Sequence, residues 1–264
     1  MMTSSYFAQF TKCACDYNPF LDQGKVFFSK RKFREIEKDV RKDKNLLPSH
    51  DITNNFFGDN EFLGISRKMI FDSCKKIRMK KSIEDADLEQ FILSVLYWGF
   101  PSNLHGLCRN VYKSFYEILD FTHKIFVSPS NAEDEFVNLF DRKKCDEYNR
   151  DGFIYMQGVS VAFFSKLLFF ARADFNGNPC LILDSFVIDG LKFLSLQVKK
   201  EKGDKNLIDW LSEISNYISI NPIIYPTFLE DMNVLGSLAK CDSCKVEYVL
   251  WLIGKYCVPR KYKG

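Results

Sequence analysis

The spacing of apolar residues along the chain predicts a mostly helical protein. From Leu63 onward, apolar positions recur at helical spacing and alternating patterns typical of strands are scarce. The best-defined helix begins near Ser82, with carboxylates in its first turn, and ends at Gly99–Pro101, where glycine and proline cannot continue it. Further helices are predicted at residues 107–124, 131–149, 208–218 and 246–254. The predicted fold class is therefore all-α.

Composition supports a folded globular chain with one main helical domain. The 264 residues include 26 Phe, and 46% of them are apolar, which is enough to fill a substantial core. Periodicity is weak in residues 1–62, apart from residues 30–44, so we expect an N-terminal extension there. The helical domain is expected to span residues 63–258.

The cysteines and the longest apolar run indicate the cellular compartment of the protein. Nine cysteines without a secretory hydrophobic stretch predict a reducing cytoplasm and no disulfides. The run from Val161 to Ala171 is interrupted by Ser165 and Lys166, and it is shorter than the roughly 20 residues that a membrane span needs. We therefore expect a cytoplasmic protein without a membrane partner.

The cysteine spacing also predicts that the chain holds no metal. Cys241 and Cys244 form a CxxC pair, but only Cys257 follows them. This spacing does not supply the four ligands of an iron–sulfur cluster or of a structural zinc site. The three histidines are far apart in the sequence, so no cofactor is expected.

Local charge is more informative than the net charge of +3, because a basic patch matters more than the total. One basic cluster lies at residues 30–34 and a second at residues 75–81. Each cluster fits either a surface that lines a phosphate backbone or a solvated helix face, and the sequence leaves both interpretations open. The second cluster consists of Lys75, Lys76, Arg78, Lys80 and Lys81.

A lysine in the middle of an apolar segment is the first candidate for chemistry. On a helix, Lys166 shares its face with Ala162, Phe163, Phe169 and Phe170, and no carboxylate lies four residues away on either side. Burial of a lysine favours the neutral amine, the form that can attack a sugar or carbonyl carbon. The alternative is a lysine whose stem is packed and whose head reaches water.

A carboxylate eighteen residues later is the second candidate. The apolar run Leu181–Leu183 ends at Asp184, and a new helix is predicted to begin there. Asp184 can cap that helix through backbone amides near Phe186 and Val187 while directing an oxygen outward. The pattern is typical both of a plain N-cap and of a catalytic carboxylate in this position.

Together these segments resemble the helix-hairpin-helix DNA glycosylase superfamily, especially a bacterial family with an 8-oxoguanine DNA glycosylase fold. In that superfamily a glycine-containing hairpin precedes a helix, and an essential Asp heads the next helix, as Asp184 does here. Trp98-Gly99-Phe100-Pro101 resembles the family's Trp-Gly-aromatic-Pro signature, and residues 225–250 resemble its closing pair of helices. The position of Lys166 is similar to that of the lysine in archaeal 8-oxoguanine glycosylases. The resemblance spans residues 63–255.

The resemblance places a DNA-binding hairpin near residues 156–161. Gly158, Val159 and Ser160 would bind a DNA phosphate through their backbone amides. The usual hairpin reads Leu-Pro-Gly-hydrophobic-Gly, and this segment lacks the proline and the second glycine. The phosphate site is thus where the sequence departs from the family pattern.

The resemblance also implies a mechanism on double-stranded DNA that carries a damaged or modified base. A monomeric protein would extrude the nucleotide into a pocket. Lys166 would attack C1′ of the sugar, displace the base and form a Schiff base that proceeds to β-elimination, while Asp184 would stabilise the developing positive charge. The family's default base is 8-oxoguanine. The candidates for contacts with the base are Trp98, Phe100, His105 and Phe228.

Two alternatives stay open on the sequence alone. The same chemistry can serve phage defence by removing modified bases from invading DNA. The chain can also be a non-catalytic DNA-binding module that keeps the helical scaffold and the basic surface. Release of only a phage-type base would favour the first alternative, and DNA binding without base release would favour the second.

Overall fold

Helices make up most of the described part of the chain, which confirms the all-α prediction. The computed structural model describes residues 5–16, 25–42, 47, 50–99, 104–139, 159, 161–201, 205–217 and 224–258. The chain divides into two compact units, one of residues 20–176 and the other of residues 1–19 with 177–264. A unit boundary therefore falls at residue 176, whereas the sequence pattern placed a boundary at residue 62. No described helix combines the length and apolarity needed to cross a bilayer.

The unit of residues 20–176 combines helices with a small antiparallel sheet. Strand β1 (Val26–Ser29) pairs with β2 (Phe62–Ile65), and Val26 lies opposite Ile65. A short strand, β3 (Asp174–Phe175), lies at the end of the unit. The helices are α2 (Lys30–Val40), α3 (Ile52–Phe57), α4 (Arg67–Arg78), α5 (Asp85–Gly99), α6 (Leu104–Lys113), α7 (Phe115–Val127), α8 (Ala132–Leu139) and α9 (Val161–Ala171).

Helix α9 lies at the centre of this unit. All of its 11 residues are buried, and it packs against α4, α5 and α7. A helix that is apolar on all sides is stable only inside a core, and the run of Phe, Leu and Val residues in α9 meets that requirement. The most enclosed helix of the unit is thus the one that carries Lys166.

The predicted helices agree with the structure where a strong signal marks their ends. Helix α5 carries Asp85 and Asp87 in its first turn and ends at Gly99, as predicted. The single helix predicted over residues 107–124 is wrong, because α6 and α7 are separated at Ser114. Ser114 has φ −106° and ψ 28°, outside the helical region. Neither glycine nor proline marks this break, so the sequence gives no signal for it.

In the unit of residues 1–19 and 177–264, the described residues form helices and one short strand, β4 (Asn178–Pro179). Its principal pair consists of α10 (Ser185–Lys200) and α13 (Ser243–Tyr256). The N-terminal helix α1 (Ser5–Asp16) packs against α10, α12 and α13, so the first residues of the chain belong to this core. The remaining helices are α11 (Lys205–Tyr217) and α12 (Tyr225–Ala239).

Two glycines allow α10 and α13 to approach each other closely. A Cβ at Gly190 would overlap the Leu250 carbonyl oxygen, and a Cβ at Gly254 would overlap that of Phe186. In both cases the obstacle is backbone, which cannot rotate away. We expect Gly190→Ala and Gly254→Ala each to lower the free energy of unfolding by about 1–3 kcal/mol or more.

Chemical denaturation of the purified variants tests this expectation. Lys192→Ala, an exposed change on the same helix α10, is the matched control and should alter the free energy of unfolding by less than about 0.5 kcal/mol. Glycine variants as stable as this control would contradict the close packing of the two helices.

Candidate active site

Lys166 is buried in the middle of α9. The residue is 2% exposed, and its Nζ donates a hydrogen bond to the Ala162 carbonyl oxygen at 3.3 Å. This carbonyl lies one turn earlier in the same helix, so the side chain folds back along α9 rather than extending to solvent. The prediction that the amine is kept from water is confirmed, and the alternative of a solvated head is wrong.

Aromatic rings and a buried guanidinium pack against the α9 residues that follow Lys166. The Trp98 ring meets Phe170 edge to face, with centroids 5.1 Å apart. The Arg67 guanidinium lies 5.1 Å from the ring centroids of both Trp98 and Phe169, and Arg67 is 1% exposed. A desolvated cation over aromatic rings gains about 2 kcal/mol or more. These contacts hold the Trp98 ring in place.

Among the predicted base contacts, Trp98 directly precedes Gly99 at the end of α5. Its neighbour Gly99 contacts the Lys166 stem directly. Arg67 was not among the sequence candidates, because an arginine followed by Lys68 at the start of a helix looks like a solvated residue. The residue before it, Ser66, marks only the start of α4, because its Oγ accepts a hydrogen bond from the Met69 amide.

Asp184 is the N-cap of α10, as predicted. Its Oδ1 accepts hydrogen bonds from the backbone amides of Phe186 at 3.0 Å and Val187 at 3.2 Å. Asp184 is 7% exposed. The side chain therefore lies at the positive end of the dipole of α10. Asp184 belongs to the unit of residues 1–19 and 177–264, and Lys166 belongs to the other unit.

A tyrosine that the sequence analysis did not select anchors the segment that leads to Asp184. The Tyr225 hydroxyl donates a hydrogen bond to the Leu181 carbonyl oxygen at 2.7 Å. Burial raises the pKa of the Tyr225 phenol well above its ordinary value, and nearby Cys180 and Glu247 add to the rise. The phenol therefore stays protonated at neutral pH and can donate this hydrogen bond.

Phe228 lies in the same core. Its ring stacks on Tyr225, with centroids 6.1 Å apart and an interplanar angle of 24°, and the residue is 1% exposed. Phe228 thus supports the tyrosine that fixes Leu181. Its contact with a flipped base stays a prediction.

Several predicted site residues fall outside the described part of the chain. Gly158, Ser160 and Phe100 are among them, whereas Val159 is described and fully buried. His105 lies in α6, and its side chain is outside the description. The hairpin's role in DNA binding and the roles of Phe100 and His105 therefore stay predictions.

The first basic cluster is largely occupied by contacts within the protein. Lys30 is 6% exposed and donates a hydrogen bond to the Gly58 carbonyl. Arg31 forms an ion pair with Glu35 on the same helix, at 3.3 Å. These contacts favour a structural role and a solvated helix face for residues 30–34.

The second basic cluster contains two cations that are paired within the protein and three exposed lysines. Arg78 donates to the Ala171 carbonyl at the end of α9, and Lys80 pairs with Asp87 at 2.6 Å. These two contacts hold the loop between α4 and α5 against the end of α9 and the start of α5. The other members of the cluster are exposed, and they are Lys75, Lys76 and Lys81.

The CxxC cysteines, Cys241 and Cys244, lie at the start of α13 and form no disulfide with a described residue. Within the described ranges, no group of three or more His, Cys, Asp or Glu side chains is placed to hold a metal ion.

Comparison with known families identifies the class of protein as a DNA glycosylase. The match covers residues 21–251 and so includes both α9 and the N-cap Asp184. The chain belongs to the family described as "Putative 8-oxoguanine DNA glycosylase OGG-like protein". The match begins before residue 63, so the family pattern includes β1 and α2 as well. No curated protein and no solved structure matches the chain.

Proposed function

We propose that the protein excises a damaged base from duplex DNA by attack of the Lys166 amine on C1′, and that the default base is 8-oxoguanine. The observation that carries this proposal is the burial of Lys166, which is 2% exposed in the centre of α9. Attack on C1′ uses the lone pair of the amine nitrogen, and burial keeps water away from that nitrogen.

The proposed reaction has two stages. The Lys166 nitrogen forms a bond to C1′ while the bond from C1′ to the base breaks, and the base leaves with the electron pair and takes up a proton. Loss of the amine's proton and opening of the sugar ring give an imine between C1′ and Nζ. Removal of a proton from C2′ then expels the 3′ phosphate, which is the lyase step.

Asp184 has an electrostatic role in this proposal. Its carboxylate stabilises the positive charge that develops on the sugar as the base departs. The two amides of α10 that bind Oδ1 fix the orientation of the carboxylate before DNA arrives. Such preorganisation avoids the cost of reorientation during the reaction.

DNA binding in this proposal uses the exposed members of the second basic cluster. Lys75, Lys76 and Lys81 are exposed near the end of α4, where they can neutralise phosphates and release counterions. The hairpin near residues 156–161 is the second proposed phosphate contact, through the amides of Gly158, Val159 and Ser160.

A panel of duplexes tests the proposed substrate. The duplexes carry 8-oxoguanine opposite each normal base, uracil, hydroxymethylated cytosine or glucosylated cytosine, and an unmodified duplex serves as the control. We expect release of 8-oxoguanine together with strand cleavage. Release of a phage-type base alone would replace the repair function by phage defence. Salt-dependent binding without release of any base would indicate a non-catalytic module.

A further inference from the structure

The stem of Lys166 lies directly against Gly99, the last residue of α5. A Cβ added at Gly99 would lie 2.7 Å from Cδ of Lys166 and 3.1 Å from its Cε. Both distances are shorter than ordinary carbon contacts, for which the optimum is about 3.5–4.0 Å. The absence of a side chain at residue 99 therefore provides the space that the end of the lysine occupies.

This contact differs from those of the glycines between α10 and α13. At Gly190 and Gly254 an added Cβ would meet backbone atoms, and at Gly99 the atoms it would meet belong to the Lys166 side chain. The Lys166 stem can rotate, whereas backbone cannot. A methyl group at residue 99 would therefore displace the amine and leave the packing of α5 on α9 intact.

Backbone conformation gives no separate reason for glycine at this position. Gly99 is helical, and the glycines with positive φ in the described ranges are Gly58 and Gly177. Alanine adopts helical φ and ψ readily, so backbone conformation alone would allow it at residue 99. The contact with Lys166 is the feature that requires glycine here.

The geometry points to Gly99 as a positioning residue for Lys166, a role that rests on the proposed function of the lysine as nucleophile. The Cα of Gly99 lies against one side of the lysine stem, and the hydrogen bond to the Ala162 carbonyl holds the amine at its end. Gly99 thereby sets where Nζ stands relative to the sugar carbon that it attacks.

Kinetics of the Gly99→Ala variant test this role. Misplacement of a reacting atom by about 1 Å costs on the order of 10²-fold in rate. We therefore expect the single-turnover rate of borohydride-trappable imine formation on 8-oxoguanine duplex to fall about 10²-fold, with the Kd for that duplex unchanged. Gly64→Ala is the matched control, because a Cβ there also meets a flexible side chain, that of exposed Phe27, at 2.8 Å. The Gly64→Ala variant should be trapped on the 8-oxoguanine duplex at the wild-type rate.

Thermal unfolding of a double-mutant cycle tests the contact without any requirement for activity. The four proteins are the wild type, Gly99→Ala, Lys166→Ala and the double variant. Removal of the lysine stem empties the space that the new methyl group needs, so the loss of Tm caused by Gly99→Ala should disappear in the Lys166→Ala background. If Gly99→Ala does not fold at all, the double variant should still fold.

The outcomes separate this inference from the proposed function. Equal losses of Tm in both backgrounds, a double variant that fails to fold, or wild-type trapping by Gly99→Ala would each overturn the role of Gly99. A wild-type protein that releases no base from any duplex would refute the proposed function. In that case a Tm loss confined to the lysine-containing background would still establish that Gly99 positions the Lys166 side chain.

Discussion

Replacement of Lys166 by alanine is expected to abolish covalent trapping of the protein on 8-oxoguanine duplex by borohydride. Borohydride reduces the imine between Nζ and C1′ to a stable amine, and without the amine no imine forms. Base release should fall together with trapping, by about 10²–10⁴-fold or more, because the same nucleophile displaces the base. Gel electrophoresis of the reduced complexes and chromatography of the released base measure the two effects.

Lys30→Ala is the matched control for this experiment. Lys30 is also a buried lysine bonded to a backbone carbonyl, that of Gly58, but it lies on α2. We expect this variant to trap DNA as the wild type does, because its amine has a structural partner and no role in the chemistry. Trapping that persists in Lys166→Ala would reject Lys166 as the nucleophile.

Replacement of Asp184 by asparagine is expected to slow base release by about 10²–10³-fold without loss of stability. Asparagine caps helices as well as aspartate does, because its side-chain oxygen accepts the same amide hydrogen bonds. The substitution therefore removes the negative charge while the hydrogen bonds from Phe186 and Val187 remain. Single-turnover rates measure the effect of the lost charge on base release, and thermal unfolding of the same preparation measures any effect on stability.

Two further variants complete the comparison. Asp184→Ala removes the cap as well, so it should lower the free energy of unfolding by about 1 kcal/mol in addition to slowing release. Asp242 caps α13 through the Cys244 amide at 2.9 Å, and Asp242→Asn should leave the rate of base release unchanged. A rate for Asp184→Asn within a few-fold of the wild type would reduce Asp184 to a plain N-cap.

The sequence predicts those features of the fold that depend on neighbouring residues. Carboxylates at the start and Gly99 at the end define α5, and the apolar run of α9 predicts a buried helix; the structure confirms both. The break at Ser114 was missed, because it involves no glycine or proline and the apolar spacing continues across it. The packing of α1 against α10 and α13 was also missed, because it joins residues near opposite ends of the chain.

Part of the candidate site was predictable because it also depends on residues that are neighbours in the sequence. The burial of Lys166 follows from its apolar neighbours within α9, and the cap at Asp184 follows from its place between an apolar run and a new helix. Both predictions depend on residues within one or two helical turns, and the structure confirms both. Their catalytic roles come from the family resemblance rather than from these patterns.

The supporting residues of the site could not be predicted from the sequence. Gly99 contacts a lysine that lies far along the chain. Arg67 is buried against Trp98 and Phe169 through packing of α4, α5 and α9. Tyr225 reaches the Leu181 carbonyl from another helix. Each of these contacts depends on tertiary packing, for which a single sequence carries no local pattern.

Identification of the residue that carries the trapped sugar is the most direct test of the central claim. The reduced complex with 8-oxoguanine duplex is digested with nuclease and protease, and the modified peptide is sequenced by mass spectrometry. We expect the deoxyribose remnant on Nζ of Lys166, within the peptide that contains α9. A remnant on any other lysine or on the N-terminal amine would contradict the claim that Lys166 is the nucleophile.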